Sequence, residues 1–317
     1  MKIEDVLILN PLPPVPSRPV RVGVIGLGFI AESCHAPALR FLQQRGWPVK
    51  VTGLCDVRKE RLILFQSMFP KAQAFSSPET LLAAGNIDAL ILLTPPAVTP
   101  ELIKAGVQLG IPVFTEKPVS HDANELGELY ALSEQSRVPV QVGYNRRYQP
   151  LADAFLQKVK LSGLRSIEAR LWRINRSEPH FYTDTMVHAL DFLEYAFGPL
   201  QVEQAIWAPA VDGEPLRRSV RVTLINKTGL RCGLDVRPAT NCCVESYEAA
   251  DIALNYTVQG QPMGESEETL LCLRGFIHQL AAFLRLAAGE NETSRCTLDD
   301  ARRTCELCER IMARMHQ

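Results

Sequence analysis

No charge of one sign dominates this sequence. Its 34 lysines and arginines face 35 aspartates and glutamates, a formal net charge of −1 at pH 7. That balance excludes a global field for drawing in nucleic acid or an anionic membrane, and leaves a small, locally recognised ligand as the expected partner. The nine cysteines lack the regular spacing of a disulfide framework. An odd number in a chain of 317 residues fits reduced thiols, and a cytoplasmic location is expected. Cys305-Glu306-Leu307-Cys308 has metal-like spacing but falls within an amphipathic helix pattern; it reads as core or surface thiols, and no metal is expected. A long apolar run near the N-terminus is also missing. Residues 6–9 are apolar, but Pro11, Pro13, Pro14 and Pro16 follow, so the run is too short for a signal segment or a membrane span. Residues 1–18 read as an extended proline-rich arm, loose or packed on a neighbouring subunit. There is no internal repeat.

Regular patterning begins at Val20. Strand-like segments at 20–25, 49–55, 89–93, 113–115 and 138–143 alternate with helical ones at 29–45, 58–69, 101–109 and 123–136. Such alternation predicts a doubly wound parallel sheet, and the nearly continuous apolar run at 89–93 predicts a strand buried on both faces. The rhythm then changes. After a helix at 151–160, strands are expected at 167–173, 202–208, 219–225, 230–236 and 252–258, with a helix at 185–197; helices at 270–287 and 298–315 end the chain. Strand following strand predicts an α+β domain on an open, mainly antiparallel sheet. The expected organisation is an arm at 1–18, a parallel-sheet domain at 19–146 and an α+β domain at 147–317.

Gly26-Leu27-Gly28-Phe29-Ile30-Ala31 lies between the first strand and the first helix, the context a dinucleotide turn requires. Gly26 permits the tight turn and Gly28 lets a pyrophosphate approach the backbone. The helix start at Phe29 and Ile30 faces the phosphates, and Ala31 keeps helix and strand close. Asp56, at the end of the second strand, is placed to accept hydrogen bonds from the adenosine ribose and repel a 2′-phosphate, which favours NAD. Arg58 and Lys59 follow at once, and pairing with a 2′-phosphate keeps NADP as the alternative.

Lys117, in Glu116-Lys117-Pro118 at the end of a strand, is a candidate acid/base. An unperturbed lysine has a pKa of about 10.4; partial burial and a nearby cationic nicotinamide lower it, and Glu116 is placed to orient the amine. An ion pair at a strand end would account for an isolated lysine equally well. The helical stretch from Asp184 to Asp191 puts Asp184, His188 and Asp191 on one face. There His188 can pass a proton, with Asp184 fixing its orientation or bonding the substrate.

Taken together, Gly26-x-Gly28-x-x-Ala31, Thr94-Pro95-Pro96-Ala97, Glu116-Lys117-Pro118, the run from Val142 to Tyr148 and Asp184-x3-His188 resemble the Gfo/Idh/MocA oxidoreductases, over residues 20 to about 200. Cys34-His35-Ala36-Pro37-Ala38-Leu39 also resembles the segment that follows that family's glycine turn. The resemblance implies a Rossmann domain joined to an open sheet that often forms a homodimer or homotetramer. It implies nicotinamide-dependent oxidation or reduction of sugars, polyols or related hydroxyl compounds. Lys117, Asp184 and His188 take the catalytic positions. Thr94, Pro95, Pro96, Thr99 and Glu116 fall on the cofactor side, and Tyr144, Asn145, Arg147 and Arg173 on the substrate side. Thr99 stands where the family often has histidine. His180-Phe181-Tyr182-Thr183 replaces its usual glycine pair, and the chain is similar in length to the compact MviM-like group. Two other functions are compatible with these residues: a dinucleotide-binding sensor without catalysis, and a reductase of an imine or a linear tetrapyrrole.

Overall fold

The computed structural model describes residues 3–161, 163–174, 176, 180–208, 218–238, 240, 242–249 and 266–315. In chain order the elements are α1 (Ile3–Leu9), β1 (Val20–Ile25), a π turn (Ala31–His35) continuing into α2 (Ala36–Gln44), β2 (Val49–Cys55), α3 (Lys59–Met68), β3 (Gln73–Phe75), α4 (Pro78–Ala83), β4 (Ala89–Leu92), α5 (Thr99–Gln108), β5 (Val113–Thr115), α6 (Ala123–Ser136) and β6 (Val140–Val142). A 3₁₀ turn (Asn145–Tyr148) leads to α7 (Pro150–Leu161), β7 (Ser166–Trp172), a second π turn (Tyr182–Met186) and α8 (Val187–Phe197). Then come β8 (Leu200–Trp207), β9 (Val220–Asn226), β10 (Arg231–Arg237), β11 (Val244–Ala249), α9 (Glu267–Leu273), α10 (Phe276–Ala287) and α11 (Leu298–Met315). The strand expected at 252–258 lies outside the described residues.

Two compact units emerge: Met1–Pro150 with Ser266–Ala301, and Leu151–Glu265 with Arg302–Gln317. The first is built on a six-stranded sheet in the order β3-β2-β1-β4-β5-β6, with every pairing parallel. Ala89, Leu90, Ile91 and Leu92 of β4 are all buried, as a central parallel strand covered on both faces must be. Sequence periodicity passes over two of this unit's elements. β3 is only three residues long, too short to display a period. α4 is a six-residue helix whose start was legible in Ser77-Pro78: the Ser77 hydroxyl accepts the Thr80 N–H at 3.4 Å, and proline opens the first turn.

The strand and helix pattern also hides a larger feature. Residues 266–301, assigned above to the second domain, pack with the first unit. Ile277, Leu280, Phe283 and Leu284 of α10 share one buried cluster with Val22 and Val24 of β1, Leu39 and Leu42 of α2, and Phe114 of β5. The sheet edge at β6 is not left bare: the Val142 N–H donates to Cys296 O at 3.1 Å, and the buried Gln141 amide donates to Gln279 O at 2.8 Å. An open strand edge is thereby closed by the same chain.

One helix was expected over 270–287, but two form, broken at Gly275. Its φ is +81°, and an added Cβ would lie 2.3 Å from Asn145 O and 3.0 Å from the Tyr148 carbonyl carbon. Both obstacles are backbone, so neither rotates away. Gly275→Ala is expected to cost more than about 2 kcal/mol and to lower the unfolding midpoint by roughly 5 °C or more. A thermal melt superimposable on the parent would refute this packing.

The N-terminal arm also differs from expectation. It is not extended throughout, because residues before the first proline form α1, with Val6 buried in the main cluster. The segment after it lies along α10 of its own unit. His278 Nε2 meets Asn10 O at 2.9 Å, and Arg285 donates to Pro14 O at 2.8 Å. The Arg18 guanidinium donates to Ala287 O at 2.6 Å and Ala288 O at 2.9 Å, satisfying carbonyls that the end of α10 leaves free.

The second unit has a five-stranded sheet, β11-β7-β10-β9-β8. β7 and β10 pair in parallel and the remaining pairs are antiparallel. β9 and β10 alternate buried and more exposed residues, the signature of a sheet covered on one face. β11 escaped sequence reading because its central residues include buried Glu245 and Ser246. All nine cysteines are free, and burial pushes the Cys308 thiol up to about 12. No single helix among the described residues is long and apolar enough to cross a membrane.

Candidate active site

In the first unit the sheet runs outward from β1 in both directions, so the ends of β1 and β4 flank a topological switch point, where parallel sheets seat ligands. Gly26 occupies the end of β1 with φ of +89°. A Cβ there would sit 2.6 Å from Leu93 O, so only glycine allows the turn and its close approach to the chain beyond β4. Gly28 is different: an added Cβ would meet no protein atom within 4 Å. Its bare backbone borders open space, as the approach of a phosphate requires. Ala31 is 1% exposed, which fits close helix-strand packing. Ile30 caps the helix start without a side-chain hydrogen bond, and Phe29 is exposed. An N-terminus of this kind has backbone donors to offer an anion.

Two side chains brace the turn. The Leu27 N–H donates to Asp56 Oδ2 at 2.8 Å. Arg61, which sequence reading did not single out, donates from Nε to Leu27 O and from Nη2 to Gly28 O at 3.3 Å and Glu32 Oε2 at 2.8 Å. Its place in the first turn of α3 was the available signal, since a guanidinium there can reach back to carbonyls of the neighbouring loop.

Asp56 is buried and accepts three times from Arg58, from its N–H at 2.9 Å, from Nε at 3.1 Å and from Nη2 at 3.3 Å. Burial alone would raise its pKa. The hydrogen bonds from the Arg58 side chain and backbone and from Leu27 outweigh that, and hold the carboxyl below its usual range. The Arg58 side chain is 51% exposed, so the cation masks the carboxylate from the solvent side.

Thr94, Pro95 and Pro96 form the loop after β4. A Cβ on Gly26 would lie 3.1 Å from the Thr94 methyl, so the loop borders the glycine turn. Thr99 is buried, with its hydroxyl 2.8 Å from that of Thr94 and donating to Pro95 O at 2.9 Å. It thus closes the loop onto the start of α5.

Glu116 and Lys117 follow β5, and the Glu116 N–H donates to Leu92 O at 3.0 Å, beside β4. Glu116 was expected to orient the lysine amine; its Oε2 accepts the Lys117 backbone N–H at 3.2 Å. Its Oε1 meets His35 Nε2 at 2.7 Å, which ties the helix after the glycine turn to the lysine segment. The Lys117-Pro118 bond is cis.

Tyr144, Asn145 and Arg147 come after β6, and all three are buried. The Asn145 amide donates to Arg274 O at 2.9 Å. Arg147 donates to Arg295 O and lies 3.4 Å from Asp300 Oδ1. The Asn145 and Arg147 contacts lie within the packing of the first unit.

The second unit carries the other candidates. Arg173 pairs with Glu245 at 2.8 Å and donates to Val244 O at 3.3 Å. Asp184 lies in the π turn, its N–H on His180 O at 2.8 Å, and His188 is the second residue of α8. The π turn widens the helix between them, so they are not the plain α-helical pair their spacing suggested. Asp191 is fully buried. Among the described residues, no three His, Cys, Asp or Glu side chains gather as a metal site.

Comparison with known proteins agrees with this architecture. Residues 20–144 match the model of the GFO_IDH_MocA oxidoreductase family, described as an NAD-binding Rossmann fold. An inositol 2-dehydrogenase of Acidiphilium cryptum is 28% identical over 257 residues, covering 78% of this chain and 72% of that protein. One from Corynebacterium glutamicum is 24% identical over 202 residues, 61% of this chain, and the match spans less than two thirds of that relative, 58%. The solved scyllo-inositol dehydrogenase of Lactobacillus casei shares the fold, with a TM-score of 0.77 at 15% identity over 95% of this chain and 97% of that one. The glycine turn shaped for a dinucleotide and the parallel sheet that presents it thus belong to a unit that is similar, over residues 20–144, to the NAD-binding Rossmann fold of the Gfo/Idh/MocA oxidoreductases.

Proposed function

We propose that this protein is an NAD(P)-dependent dehydrogenase that oxidises a hydroxyl-bearing carbon of a cyclic polyol or sugar, or reduces the matching carbonyl. One observation carries this reading. The helix after the glycine turn is bonded, His35 to Glu116 at 2.7 Å, to the residue that precedes Lys117, so a dinucleotide seat and a candidate acid/base share one compact unit. The relatives named inositol 2-dehydrogenase favour a cyclic polyol.

A bound nicotinamide would supply the hydride acceptor or donor. Gly26, Gly28 and the helix start at Phe29 and Ile30 would hold the phosphates of the dinucleotide, Asp56 would meet its adenosine ribose, and Thr94 to Pro96 form the loop beside the turn. Lys117 takes the substrate hydroxyl proton during oxidation and returns it during reduction. By resemblance, His188 and Asp184 of the second unit are the further catalytic candidates, an imidazole that can pass a proton and a carboxylate that can orient it. Assembly into a homodimer or homotetramer through the second sheet belongs to the same proposal.

Myo-inositol, scyllo-inositol and simple aldoses offered with NAD should give NADH with at least one of them. Tight NADH binding without turnover across a wide polyol and sugar panel would favour a sensor instead.

Arg58 bears on the choice of dinucleotide. Free of Asp56, its half-exposed guanidinium can pair with a 2′-phosphate, whereas Asp56 suits a ribose hydroxyl. Arg58→Ala is expected to leave NADH affinity near the parent value and to weaken NADPH by about tenfold, the worth of one charge-assisted hydrogen bond. Equal losses for the two, read by fluorescence titration, would count against this division of labour.

A further inference from the structure

His35 is 1% exposed, and among the described residues its Nδ1 has no hydrogen-bond partner. The ring packs edge-on against Phe114 and Phe276, at centroid distances of 5.3 and 5.6 Å. It also lines a void of about 10 Å³ together with apolar residues such as Leu39 and Leu54. A proton on Nδ1 would be a buried donor with no acceptor, which is costly. The ring proton therefore belongs on Nε2, where it is donated to Glu116 Oε1 at 2.7 Å. Glu116 Oε2 in turn accepts the Lys117 N–H. Gly143 makes room for this carboxylate: a Cβ there would lie 3.1 Å from both Glu116 Cδ and Oε1. A histidine placed only to fill the core would not need a carboxylate carried forward onto the next residue's backbone.

We propose that His35 is a positioning residue for Lys117, acting through Glu116. The helix that begins at the dinucleotide turn thereby fixes the backbone from which the lysine amine projects. The proposal rests on Lys117 as the acid/base. Positioning is worth this much because misplacing a reacting group by about 1 Å can cost 10²-fold in rate.

The test is a mutant cycle on the full-length protein with NAD and myo-inositol. His35→Phe keeps an aromatic ring but loses the donor. It should lower kcat by about 10- to 100-fold while NADH affinity and the KM for NAD stay near wild type. His35→Gln, whose amide reaches close to the Nε2 position, should recover most of that loss. Combining His35→Phe with Glu116→Gln should cost no more than the worse single change. Selective ¹⁵N-lysine labelling reads the contact without turnover: the Lys117 amide resonance should move in His35→Phe. Wild-type kcat in His35→Phe, losses that multiply in the double variant, or an unmoved Lys117 resonance would each overturn the proposal. If His35→Phe does not fold, Glu116→Ala takes its place, with the same fall in kcat expected and wild-type kcat fatal. Lys117→Ala is measured beside them. Inert Lys117→Ala with fully active His35→Phe removes the relay alone, whereas active Lys117→Ala removes the acid/base assignment beneath it.

Discussion

Lys117→Ala is expected to lower turnover by about 10³-fold, the usual worth of a positioned acid or base, with dinucleotide affinity close to that of the parent. The separation follows from the contacts. The turn is braced by Asp56 and Arg61, and neither touches the lysine side chain in those bonds, so removing the amine leaves the seat intact. Lys117→Arg sharpens the result. A guanidinium keeps the positive charge but does not release a proton in the working pH range, so it should be nearly as inactive as alanine. Steady-state turnover and NADH fluorescence titration of the two variants check this together. An arginine variant with most of the parent activity would mean that the residue supplies charge and not proton transfer.

Gly26→Ala should be the most damaging change at the turn, and Gly28→Ala is its control. Alanine at 26 would have to hold a φ of +89°, at about 1–2 kcal/mol. Its Cβ would also stand 2.6 Å from Leu93 O. Leu93 cannot retreat freely, because its N–H is bonded to Ile25 O at 2.8 Å. Loss of several degrees in the unfolding midpoint and about tenfold or more in NADH affinity is expected. At 28 an added methyl meets no protein atom. Gly28→Ala should therefore melt like the parent yet bind NADH at least about tenfold more weakly, because the methyl occupies the phosphate approach. Calorimetry and fluorescence titration separate the two effects. Unchanged affinity in Gly28→Ala would place the phosphates elsewhere.

Much of this was legible in the residues. Gly26 and Gly28 stand between a strand and a helix, and the turn chemistry of such a segment depends on neighbours a few residues away. Apolar runs such as 89–92 announce a doubly covered strand for the same reason. Polar strands were harder: β11 buries both Glu245 and Ser246, and its pattern makes sense only once Arg173 is seen against Glu245. Asn145 and Arg147 show the limit at the site itself. Their motif points to a substrate, while each also donates to a carbonyl, that of Arg274 or Arg295, which lies 129 or 148 residues away.

By itself, then, the sequence determined the alternation that builds the parallel sheet, the glycine turn at its switch point and the lysine at a strand end. All are consequences of local periodicity, φ preference and spacing. Only the tertiary structure decided that α9 and α10 complete the dinucleotide-binding unit, that the N-terminal arm docks along α10, and that His35 reaches Glu116 across 81 residues of chain. Those outcomes depend on which buried surfaces meet and which donors find acceptors on folding, and no short stretch of sequence contains both partners.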